Sequence, residues 1–171
     1  MMYDQLFQLL SAYRRGAIIL LALIPTITFG MSWIHGVYDG RSAPWRQLYA
    51  LAVHLVTLAL ATVVAAVALH LYEGGGWSDP SVPRVVLYVL LGSWVLTLLT
   101  VKRALDFRYI ATVRNPLVLL LGWLAGWTAG AGLYITGLWL IPGPPVYTAL
   151  TAALLVFVIL QMVFSLFRPR R

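Results

Sequence analysis

The chain has 171 residues, of which 61% are hydrophobic and only 10% charged, with a mean hydropathy of +0.88; a soluble domain carries roughly 25% charged residues, so a soluble fold is excluded. Its net charge of +7 would suggest nucleic acid in a soluble protein, but the basic residues stand at the ends of apolar stretches, where membrane lipids and not nucleic acid are the expected partner. The absence of cysteine excludes disulfides, thiolate metal sites and thiol redox chemistry.

Residues 1–16 place Leu6, Leu9 and Leu10 on one side, which predicts a short interfacial helix, and Asp4 argues against a cleaved signal there. Five apolar stretches then follow at 17–35, 48–72, 85–101, 116–141 and 146–167, none containing Lys, Arg, Asp or Glu. Each approaches the ~20 residues a helix needs to cross a hydrocarbon core. The expected fold is therefore all-α: a polytopic integral membrane helical bundle of about five transmembrane helices, forming one transmembrane domain over residues 1–171. The first stretch contains Pro25 among Thr26, Thr28, Gly30 and Ser32, so an alternative has four crossings and a re-entrant first segment.

Lys and Arg collect in cytoplasmic loops. Five crossings put Arg41, Arg46, Lys102, Arg103, Arg108, Arg114, Arg168, Arg170 and Arg171 on one side and only Arg14, Arg15 and Arg84 on the other. The predicted orientation has the N-terminus outside and the C-terminus in the cytoplasm of a prokaryotic cell. Tyr49, Tyr72, Trp77, Tyr109, Trp139 and Tyr147 fall near the predicted interfaces and are expected in the aromatic belts. Irregular backbone is expected at Gly74-Gly75-Gly76 and from Asp79 to Pro83, and a tight turn at Pro142 to Pro145.

In the fourth stretch Gly122, Gly126 and Gly130 recur every four residues, which places them on one face and predicts close helix packing. The rival reading lays a flat cofactor ring in that groove, flanked by Trp123 and Trp127. Three histidines are the candidate haem ligands: His54 within the second stretch, His70 near its far end and His35 at the end of the first. His54 and His70 are 16 residues apart and so about 160° apart around an ideal helix. Two stacked haems would need four histidines, and the chain has three. A single haem b using His54 remains, completed by His35 or by a neighbouring subunit. Lys102, Arg103, Arg108 and Arg114 form the most basic loop, for cytoplasmic lipid contact or for docking a peripheral subunit.

The spans lack the carboxylates and amines with which transporters and intramembrane hydrolases work, and Ser32, Ser93 and Ser165 have no evident activating base. No metal site and no catalytic residue is expected, and the chain is not expected to be an enzyme on its own. The leading reading is a membrane subunit that anchors or completes a larger complex, of the respiratory electron-transfer kind, with other membrane-protein subunits as partners. The alternatives are a small oligomeric pore or facilitator and a single-haem b-type cytochrome subunit with His54 as axial ligand.

Overall fold

A backbone in hydrocarbon must satisfy its own N–H and C=O groups, and the apolar stretches do so as helices wherever their residues are described. The computed structural model describes residues 7–8, 10–35, 42, 44–80, 82–107, 110, 113, 115–135, 151 and 154–159. Four helices dominate: α1 at Arg14–Ile34, α2 at Trp45–Tyr72, α3 at Arg84–Ala104 and α4 at Pro116–Ile135. Residues 154–159 are also helical, and no strand occurs among the described residues. Three of the helices, α1, α2 and α3, are long and apolar enough to cross a membrane. The chain is an all-α integral membrane helical bundle.

α1 runs unbroken for 21 residues through Pro25 and does not turn back. At a 1.5 Å rise it is about 32 Å long, against a hydrocarbon core of about 30 Å, so the re-entrant alternative is replaced by a full-length helix. α1, α2 and α3 extend beyond their charge-free stretches because flanking basic residues join them. Lys102 and Arg103 occupy the last turn of α3, where a cation complements the helix dipole and its long stem reaches out of the lipid.

The ends are set by local chemistry. α2 stops in a Schellman turn: Gly75 N–H bonds the His70 carbonyl at 3.0 Å and Gly74 N–H bonds that of Leu71 at 3.2 Å. Gly74 takes a φ of +90°, which a side chain disfavours. α4 starts where the Asn115 side chain accepts the Leu117 N–H at 3.0 Å, with Pro116 in the first helical position, where its missing N–H costs nothing.

Packing does not follow chain order. α1 lies mainly against α3, α3 against α2, and α2 against α4, while α1 and α2 meet only sparsely. α2 is the central helix and is buried along its length from Tyr49 to His70. α1, by contrast, buries only Leu21 and Thr28.

Two cores result. One joins Tyr49 and Val53 of α2 to Val101 and Ala104 of α3, Leu119, Trp123 and Trp127 of α4, and Phe157. The other, toward the opposite end, joins Leu60, Val63 and Val67 of α2 to Val86 and Leu90 of α3, Leu21 of α1, and Phe7. Phe7 therefore closes one end of the bundle at 3% exposure, and only Leu10 of the three predicted N-terminal leucines falls among the described residues.

Candidate functional site

Neighbouring residues on α3 fasten it to two different helices. Proline has no N–H, so Pro25 leaves the carbonyl four residues earlier, that of Leu21, without its helical donor. The buried Ser93 hydroxyl of α3 donates to that Leu21 carbonyl. One residue on, and so about 100° around the helix, the Trp94 indole N–H donates to the Thr57 hydroxyl of α2 at 3.0 Å. Ser93 carries no nucleophilic arrangement here; it supplies a proton donor that α1 lacks. The sequence held the signal, a proline in one span and a hydroxyl in another, but not the pairing.

The three histidines occupy separate environments. His35 Nε2 and the Tyr49 hydroxyl share a hydrogen bond of 2.6 Å, and the His35 ring lies 5.0 Å from that of Trp45. Tyr49 is therefore wholly buried and not a belt residue, because its hydroxyl has an internal partner. Tyr72 and Trp77 do remain exposed. His70, at the opposite end of α2, packs edge-on against Phe7 at 5.7 Å and has the Asp79 carboxylate 3.6 Å from its Nε2. A Cβ on Gly75 would overlap that same nitrogen, so the glycine makes room for the ring.

His54 meets neither of the others. Its ring is edge-on to Phe157 at 5.9 Å. Phe157 in turn stacks on Trp123 with centroids 3.9 Å apart and planes within 4°, and a Cβ on Gly122 would lie 3.7 Å from the Phe157 ring. The flat ring beside the glycine row is thus one of the chain's own. Gly126 and Gly130 are buried along the same helix. The indole N–H groups of Trp123 and Trp127 are buried and find no hydrogen-bond partner among the described residues, which points to packing as the task of these rings.

Lys102 and Arg103 are exposed at the end of α3. Arg108 and Arg114 lie outside the described residues, as do Tyr109, Trp139, Tyr147, the Pro142 to Pro145 turn, Ser165 and most of the last predicted span. Among the described residues no three His, Asp or Glu side chains gather as a metal ion would require. No family model matches the sequence, and comparison with curated proteins and with solved structures finds no match.

Proposed function

We propose that the chain is a membrane subunit that anchors or completes a larger complex of the respiratory electron-transfer kind, with its C-terminus in the cytoplasm of a prokaryotic cell. The observation that carries this reading is where the polar groups of the spans are used. Thr26, Thr62, Thr97, Thr100 and Thr128 each donate to a carbonyl of their own helix, and so do Thr28 and Ser32. Ser93 and Trp94 are taken up between helices. Transport or catalysis at membrane depth needs polar groups turned toward a substrate or a water-filled path. Here seven are taken up within their own helices and two between helices, which weighs against the pore reading and leaves the outer faces for partners.

α1 supports the same reading. A helix with two buried residues contributes little to the core, yet Ile19, Leu20, Ile27, Trp33 and Ile34 form a broad exposed apolar surface on it. The electron-transfer assignment draws on His35, His54 and His70 as the groups able to ligate haem iron.

Purification in mild detergent followed by mass measurement of the intact particle tests the proposal. A second polypeptide in fixed ratio is the expected result. A stable monomer or pure homo-oligomer overturns it.

A further inference from the structure

We propose that the groove between α1 and α3 binds one acyl chain of an anionic phospholipid, with the lipid phosphate held at Arg103. The groove encloses about 500 Å³ between Pro25 and Phe29 on one wall and Gly92, Leu96 and Thr100 on the other, with Ser93 at its base. That volume is of the size that holds a single small molecule.

Three observations define the occupant. The first is the chemistry of the walls. Their hydroxyls are committed, since Thr100 donates to the Leu96 carbonyl at 2.8 Å and Ser93 to that of Leu21, so the lining suits hydrocarbon.

The second is Gly92. A Cβ there would meet nothing within 4 Å. Glycine inside a helix is less favourable than alanine, and no neighbour among the described residues uses the space that it opens.

The third is the charge one turn beyond the end of the groove. Gly92, Leu96, Thr100 and Arg103 are spaced three or four residues apart, so Arg103 continues the row that lines the groove. Arg103 is exposed, has no ion-pair partner among the described residues, and stands beside Lys102 in the last turn of a helix about as long as the hydrocarbon core is thick. The guanidinium fork suits phosphate oxygens.

Length then separates lipid from protein. The lining on α3 runs from Val89 to Thr100, a rise of about 16 Å, roughly half of a ~30 Å hydrocarbon core, and ends one turn short of Arg103. A groove of that length fits an acyl chain descending from a headgroup, whereas a partner helix would run the full thickness.

The test is native mass spectrometry of the full chain released from detergent with dioleoyl phosphatidylglycerol or dioleoyl phosphatidylcholine, which share their acyl chains. Both carry a phosphate, but in phosphatidylcholine the headgroup's own ammonium neutralises it, so the anionic lipid should be retained about tenfold more strongly, the equivalent of one charge-assisted hydrogen bond at Arg103. Arg103→Gln should bring that ratio close to unity. Gly92→Leu, whose side chain has open space to enter, should reduce retention of both lipids while leaving the helical circular dichroism intact. Equal retention of the two lipids by the native chain, or full retention by Gly92→Leu, overturns the proposal, as does a second polypeptide found seated in the groove. If Gly92→Leu does not fold, Arg103→Gln decides alone: an unchanged lipid ratio sinks the idea.

Discussion

The Ser93 hydroxyl donates to the carbonyl of Leu21, the oxygen that Pro25 deprives of its helical N–H. Removing Ser93 leaves a bare carbonyl in the membrane interior. Ser93→Ala is expected to destabilise the protein by about 1–2 kcal/mol, read from unfolding in increasing sodium dodecyl sulfate. Pro25→Ala returns the N–H, so in that background Ser93→Ala should cost less than half as much. Equal costs in the two backgrounds would show that the carbonyl is not what Ser93 serves.

Gly75 and His70 form a second coupled pair. A methyl at position 75 would overlap the imidazole, which is 6% exposed and has little freedom to withdraw. Gly75→Ala should cost roughly 1–3 kcal/mol, the usual range for overpacking. Combined with His70→Ala it should cost little. Thermal unfolding of the four proteins in the cycle measures the coupling, and additive losses would contradict it.

The stacked rings behave oppositely under two substitutions. Trp123→Phe keeps an aromatic face for Phe157 and discards a buried N–H that has no partner among the described residues, so stability should hold or rise. Phe157→Leu loses the stack and leaves space beside Gly122, for a loss of about 1–2 kcal/mol. Thermal melts that rank these variants the other way would mean that the indole N–H has a use in the assembled protein.

Orientation is open to a simple check. α3 separates Ser78 from Asp106, and the proposed orientation, drawn from the distribution of Lys and Arg, has the second on the cytoplasmic side. Reporter fusions should read opposite sides at the two positions, cytoplasmic at 106. A reversed pair of signals would invert the proposed topology, and matching signals would remove α3 as a crossing.

The first three spans were legible because lipid imposes one rule over twenty residues at a time. Gly74 and the Asn115-Pro116 pair were equally open to reading, since a helix end depends on a few adjacent residues. The pairings across helices were not. Nothing local in the sequence says that Ser93 lies level with Leu21, that Tyr49 faces His35, or that Phe157 fills the space beside Gly122. These contacts depend on which helices adjoin, and α1 packs on α3 instead of on its chain neighbour α2. The groove on α4 was visible as spacing, but a stripe of small residues carries no mark of what covers it.

The bond between α1 and α3 also imposes an order on biogenesis. Ser93 is 72 residues downstream of Leu21, so a growing chain delivers the carbonyl to the membrane well before its donor exists. During that interval α1 holds an unanswered oxygen in a solvent that cannot answer it, and meets α2 too sparsely to gain much shelter. Made before α3, it reaches its resting place only once α3 arrives.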